Sequence, residues 1–233
     1  MNGEAHWFSR VTSRPNITYR QLVDLGALDP YGQHQALWKL FEVTKEERTE
    51  RAEFLFRAEK KDKLPLFYVL SKRQPHDRTG LWDIESKAYH PDIQVGDRLT
   101  FKLRANPVVS RKGEAGNRGQ RHDVVMNAKQ QMNWKNLPKE QRPTLAYLAQ
   151  KAGETWLRGR EVRMGCKFDD NNLRADGYCT WRKHSAKNIE LSMLDFEGCL
   201  TVGDPNVFLE ALYNGVGPAK GFGCGLLLVR RIR

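Results

Sequence analysis

The chain has 233 residues, with 39 Lys and Arg against 28 Asp and Glu, and a formal net charge of +11. That length holds either one large core or two domains of roughly 100 residues, and the positive excess points to a polyanionic partner. No apolar run approaches the ~20 residues of a membrane span, and the N-terminus carries no apolar signal region, so the expectation is a cytoplasmic protein with no membrane partner. The four cysteines and six histidines are dispersed and no Cys-x-x-Cys pair occurs, so neither a metal site nor a cofactor is expected and the thiols read as packing residues.

In chain order, Trp7 to Val11 alternates as a first strand. Residues 13–28 are mixed and turn-rich, a loop or a short helix. Asp29-Pro30 then opens a helix, Asp as cap and Pro in the first turn, with Leu37, Leu40 and Phe41 at helical spacing. Residues 45–51 are charge-dense and read as solvated. Phe54 to Glu59 and Pro65 to Ser71 read as strands. Leu99, Phe101 and Leu103 alternate with Arg98, Thr100, Lys102 and Arg104, the period of a strand with one apolar and one basic face. Pro107 ends it and marks the expected boundary between an N-terminal domain, 1–106, and a C-terminal one, 107–233. Strand, helix and further strands in that order suit an α+β ferredoxin-like (RRM-like) half whose sheet can carry RNA.

The second half opens on the basic, glycine-rich stretch 111–121, expected to be ordered only by something acidic. Residues 143–157 read as a helix, and 161–168, 177–184 and 189–202 as strands. Asp204-Pro205 starts another helix, with Val207, Phe208, Ala211 and Leu212 on its apolar face and Gly215 at its end. Five glycines then fall between Gly215 and Gly225, with Lys220 among them, and Gly225 to Val229 follows as a buried strand. Such a loop suits a clamp on a phosphate backbone, or else serves tight packing. It is neither a Walker nor a dinucleotide loop, since the helix precedes and the strand follows.

Tyr31 and His34 stand three apart in the first turns of one helix, so they share a face. A helix N-terminus attracts phosphate and disfavours a second proton on a histidine nearby. A neutral His34 can take a proton from a ribose 2′-hydroxyl, and a protonated one can give it to a leaving 5′-oxygen; Tyr31 can orient the phosphate or share that work. A histidine opening an apolar helix is also a common packing residue. No converging set of acids supports a two-metal mechanism.

Gly215-Val216-Gly217-Pro218-Ala219-Lys220-Gly221-Phe222-Gly223-Cys224-Gly225-Leu226-Leu227 resembles the terminal motif of the CasE family, the CRISPR precursor-RNA endoribonucleases of type I-E Cascade. Four further stretches agree in order: Phe8-Ser9-Arg10-Val11; Asp29-Pro30-Tyr31-x-x-His34 through Leu37-Trp38-x-Leu40-Phe41; Phe101-x-Leu103-Arg104-Ala105-Asn106-Pro107; and Phe196-Glu197-Gly198-x-Leu200-Thr201-Val202. Residues 108–190 follow by position only. The resemblance implies two tandem ferredoxin-like domains. It also implies metal-independent cleavage of CRISPR repeat RNA at the 3′ base of its hairpin, leaving a 2′,3′-cyclic phosphate and a 5′-hydroxyl. The enzyme would stay on the product crRNA beside other Cascade subunits. His34 and Tyr31 fall on the family's catalytic positions. Arg111, Lys112, Arg118 and Arg121 would grip the duplex, with Arg158, Arg160 and Lys187 at basic strand edges and Gly217, Lys220, Gly221 and Gly223 holding phosphates. A hairpin-binding module without catalysis is the alternative; Cys224 reads as a packing residue.

Overall fold

The computed structural model describes residues 5–27, 29–41, 54–61, 64–111, 120–183 and 188–232. Lys112, Arg118 and Lys187 lie outside them, as do the side chain of Arg111 and the charge-dense segment 45–51. The chain forms two compact units. The first runs to Asp92 and takes in Tyr213–Gly215 and Ala219–Leu226; the second holds Ile93–Leu212, Val216–Pro218 and the residues from Leu227 on.

In the first unit, β1 (Trp7–Ser13), β2 (Phe54–Lys61), β3 (Leu64–Ser71) and β4 (Trp82–Ala88) form one antiparallel sheet in the order β2-β3-β1-β4. The crossover from β1 to β2 carries α1 (Tyr19–Asp24) and α2 (Pro30–Trp38). Helix α1 starts where Thr18 and Gln21 cap each other reciprocally. This is the ferredoxin-like strand order, but residues 72–81, which return the chain from β3 to β4, contain no helix. The core is largely aromatic, with Phe54, Phe56, Phe67 and Trp82 all buried beside Val11, Leu37 and Leu40. Strand β4 escaped the sequence reading because Trp82 is its one buried residue; the rest of Trp-Asp-Ile-Glu-Ser-Lys-Ala is polar or half exposed, as suits an edge.

In the second unit, β5 (Arg98–Ala105) lies between β10 (Ile189–Val202) and β11 (Leu227–Arg231), all antiparallel. One edge of β10 carries β5; the other carries β9 (Arg174–Lys183) and then β8 (Cys166–Phe168). With α4 (Leu145–Arg158) and α6 (Pro205–Asn214) as crossovers, this is the second ferredoxin-like domain. Strand β5 alternates exposed and buried as its period demanded. Its place differs from the expectation: a boundary at residue 107 put it in the first domain, whereas its hydrogen-bond partners are β10 and β11 and the division falls at Asp92 and Ile93. Pro107 ends the strand without ending a domain, because strands pair with partners far away in sequence.

Three further differences concern residues 108–168. The two ends of the basic stretch belong to paired antiparallel strands, β6 (Val108–Arg111) with β7 (Gln120–Asp123), and residues 112–119 lie outside the described residues. The unforeseen α3 (Val124–Gln131) follows, capped by the Asp123 carboxylate, which accepts from the Met126 amide at 2.7 Å. The expected strand 161–168 is instead a helical turn, α5 (Glu161–Met164), which Gly165 stops at φ 63°, leaving only β8 extended. The core here is mostly aliphatic, with Leu99, Leu103, Leu157, Leu194 and Leu200 all nearly inaccessible.

Candidate active site

The helix that carries His34 starts as its sequence dictates. The Asp29 side chain accepts from the amides of Tyr31 (3.0 Å) and Gly32 (3.1 Å), and Pro30 occupies the first turn, where no amide is needed. Gly32 fixes where the helix lies. A Cβ there would overlap the Gly26 carbonyl oxygen and stand 2.8 Å from its Cα, so α2 can sit against the end of α1 only because position 32 has no side chain. Tyr31 remains exposed and His34 turns inward.

His34 is held in an aromatic enclosure. Its ring centroid lies 5.3 Å from Phe54, 6.2 Å from Phe56 and 6.1 Å from the edge-on Trp38. Phe54 and Phe56 alternate on β2, so both face the core and are at most 5% exposed. Trp38 stands one helical turn beyond His34. The fourth side is the terminal loop. Its turn Lys220–Phe222 is bracketed by Ala219 at φ 62° and Gly223 at φ 77°, both left-handed. Gly221 lies against the imidazole, and the Phe222 ring centroid is 6.5 Å from that of Tyr31. The structure therefore brings His34, Tyr31, Lys220, Gly221 and Gly223 into one neighbourhood of the first unit.

Burial pushes the His34 imidazole below its ordinary pKa of 6.5. The sequence expectation had the direction but a different cause. The helix N-terminus is already engaged by Asp29, and the loss of water around the ring is what disfavours the proton. The Nε2 atom is buried and makes no hydrogen bond to the protein. Buried polar atoms are nearly always paired, so an unpaired nitrogen in a packed aromatic wall is a place where chemistry is expected.

Of the basic residues named from the sequence, Arg121, Arg158 and Arg160 have described side chains outside the terminal loop. Arg121 is exposed on β7, opposite Ser110. Arg158 ties the end of α4 to the following turns: it pairs with Glu154 (3.1 Å), Glu161 (3.5 Å) and Asp170 (3.1 Å) and donates to the Phe168 carbonyl (3.2 Å). Arg160 lies 3.5 Å above the Trp156 ring and donates to its carbonyl at 2.6 Å, and burial together with Arg163 lowers its pKa to about 10. These two guanidiniums, expected on RNA, have structural roles in their own unit. Gly217 has φ 78°, and a Cβ there would stand 3.2 Å from the Trp156 ring. Cys224 is fully buried and forms no disulfide among the described residues.

Sequence reasoning missed the enclosure. Phe222 lay inside the quoted loop motif and Trp38 one turn from His34, so both were available as signals. Phe54 and Phe56 carried none, because their meeting with α2 is a tertiary event. Among the described residues no three His, Cys, Asp or Glu side chains converge as metal ligands, and no helix is long and apolar enough to cross a membrane.

A family model of CRISPR-associated proteins matches residues 6–231. The chain belongs to the CasE family of CRISPR-associated proteins. The Cascade subunit CasE of Escherichia coli K12 is 29% identical over 202 residues, covering 85% of this chain and 90% of that protein. The CRISPR-associated endoribonuclease Cse3 of Thermus thermophilus is 30% identical over 211 residues, covering 86% and 90%. A structure of the endoribonuclease Cse3 bound to a 19-nucleotide RNA superposes with a TM-score of 0.69 at 25% identity, over 97% of this chain and 99% of that one.

Proposed function

We propose that this protein is a metal-independent endoribonuclease that cuts CRISPR repeat RNA at the 3′ base of its hairpin and stays on the product as a Cascade subunit in the cytoplasm. The observation that carries the reading is His34: an imidazole kept neutral by burial, its Nε2 unpaired, beside an exposed tyrosine and a lysine-bearing glycine turn. The family relatives support it, one named as a Cascade subunit, one as an endoribonuclease and one seen with RNA.

In this mechanism neutral His34 accepts the proton of a ribose 2′-hydroxyl. The 2′-oxygen forms a bond to the adjacent phosphorus as the bond to the 5′-oxygen breaks, and the leaving oxygen takes the proton that the His34 imidazolium then gives up, directly or through Tyr31. The products are a 2′,3′-cyclic phosphate and a 5′-hydroxyl. Tyr31 orients the phosphate or shares the proton work, and the Lys220 ammonium offsets charge on the phosphoryl oxygens. The basic stretch 111–121, with Arg111, Lys112, Arg118 and Arg121, grips the duplex through its phosphates, and Lys187 contributes a further phosphate contact. Arg158 and Arg160 are omitted, since both are engaged inside the protein.

The test is cleavage of an end-labelled CRISPR repeat hairpin in EDTA by wild type and His34→Ala, with the new ends analysed. Cutting to a cyclic phosphate by wild type, and binding without cutting by the variant, is the expected outcome. Binding without cutting by both proteins would leave a hairpin-binding module, and cutting only with added metal would remove the mechanism.

A further inference from the structure

The basic face of β5 plays no part in the mechanism above. Its exposed Arg98, Thr100 and Lys102 alternate with Leu99, Phe101 and Leu103, which pack into the core, and β5 lies inside its sheet between β11 and β10. Arg230 on β11 stands opposite Thr100, diagonal to both Arg98 and Lys102 and within reach of long side chains. On the other side Thr201 of β10 stands opposite Arg98, and Lys167 of β8 opposite Thr201. All four cations are exposed. Elsewhere on the same face the cations are answered. Arg104 donates twice to Asp195, at 3.0 and 2.7 Å, and Arg174 pairs with Asp176 (3.5 Å) and Glu197 (3.6 Å). Among the described residues none of Arg98, Lys102, Lys167 and Arg230 is in an ion pair. One acid comes near: the Asp169 carboxyl is held below its usual range, first by the Asn171 amide and in smaller part by Arg98.

We infer that this patch holds the sugar–phosphate backbone of the unpaired RNA on the 5′ side of the repeat hairpin. The inference rests on the function proposed above, in which that flank is the one still joined to the hairpin after the cut. Like charges gathered on one sheet face repel, and a polyanion laid across them offsets the repulsion and releases its own counterions. Arg98 and Lys102, four residues apart on one strand, stand about 13 Å apart with Arg230 between them, so the three line a track for successive phosphates and not a pocket for one ion. The middle of the patch is Thr100, Cys199 and Thr201. No aromatic ring stands among these positions to stack a base, so the grip is on the backbone and takes any sequence. A protein partner would want an apolar or aromatic centre, which they do not supply.

The test is the affinity of the protein, in EDTA and across a salt series, for three repeat hairpins with a 2′-deoxy nucleotide at the cut: bare, with a 5′ tail of about ten uridines, and with the same tail at the 3′ end. Wild type should bind the 5′-tailed hairpin several-fold tighter than the bare one. Its log–log salt slope should be steeper by about 2, at about 0.7 for each of three phosphates. Replacing Arg98, Lys102 and Arg230 together by Gln should abolish that gain and leave affinity for the bare hairpin and the thermal midpoint at wild-type values; Lys102→Gln alone should reduce the slope by about 0.7. A control with Lys87, Lys139 and Lys151 replaced by Gln removes the same charge from exposed sites elsewhere and should keep the gain. Equal affinity of wild type for bare and 5′-tailed hairpins overturns the inference. So does an equal gain from the 3′ tail, an equal loss in the control, or a loss on the bare hairpin that accounts for the whole effect. Failure of the triple variant to join other Cascade subunits, with the tail gain intact, makes the face a protein surface and overturns it too. The RNAs in this test are uncut. If wild type and His34→Ala cut alike, the proposed mechanism fails, while the tail measurement still reports on the patch.

Discussion

The two units share a strand order and differ in what fills the space under the sheet. In the second, α4 is a 14-residue amphipathic helix capped by Thr144, and it presses Leu148, Ala149, Trp156 and Leu157 into an aliphatic core. Gln150, Glu154, Thr155 and Arg158 on it are all paired, Arg158 with three carboxylates. In the first, α2 is only nine residues long, and among its packed side chains is a histidine walled by Phe54, Phe56 and Trp38. Equivalent architecture has produced a satisfied crossover helix in one place and an unsatisfied one in the other. The lesson is that fold does not assign function; a strained or unpaired group on the fold does.

That contrast can be broken first at Gly32. A Cβ at this position would overlap the backbone of Gly26, which cannot move aside as a side chain can, so Gly32→Ala should cost about 3 kcal/mol or more, at or beyond the upper end for overpacking. Chemical denaturation would read it, and a loss under about 1 kcal/mol, the low end of that range, would mean that α1 and α2 separate easily. Next comes the wall. Phe54→Ala should cost about 3 kcal/mol as a large-to-small core change, and should also raise the His34 pKa by admitting water. An unmoved pKa would show that Phe54 only packs. In the second unit, Arg158→Ala should cost about 1 kcal/mol, since its ion pairs are partly open to solvent, and should leave hairpin affinity unchanged. A large loss of affinity would return Arg158 to the RNA surface. The smallest effect is linkage. Because the folded-state pKa of His34 lies below the unfolded value of 6.5, its contribution to stability is complete above pH 6.5 and is lost as pH falls below it. His34→Gln should remove that component of acid sensitivity, visible as a flatter stability profile between pH 6.5 and the acid range.

Much of this was legible in the sequence. Two Asp-Pro starts marked α2 and α6, and in the structure the Asp29 and Asp204 side chains accept the amides that capping requires. Period two marked β5 because one face is buried and one exposed. What failed were the features decided at long range. Strand β5 was identified but placed in the wrong sheet, since its partners lie about ninety and about 125 residues onward. The run 161–168 looked like a strand until Gly165 stopped a helical turn. At the site, Tyr31, His34 and the glycine loop could be named, while the reason His34 stays neutral could not. Phe54 and Phe56 sit about twenty residues away, and only the β2–α2 packing carries them to the ring. Gly32 drew no reading from the sequence and is the contact that lets α2 reach its place.

The most direct test of the account is the pH titration of the His34 imidazole in the RNA-free protein, followed by NMR of its ring. The enclosure predicts a midpoint below 6.5, moving back toward that value when Phe54 is replaced by alanine. A midpoint at or above 6.5 in the wild-type protein would mean that the ring is charged or solvated in the resting state, and would contradict the claim that this fold holds a neutral base in waiting.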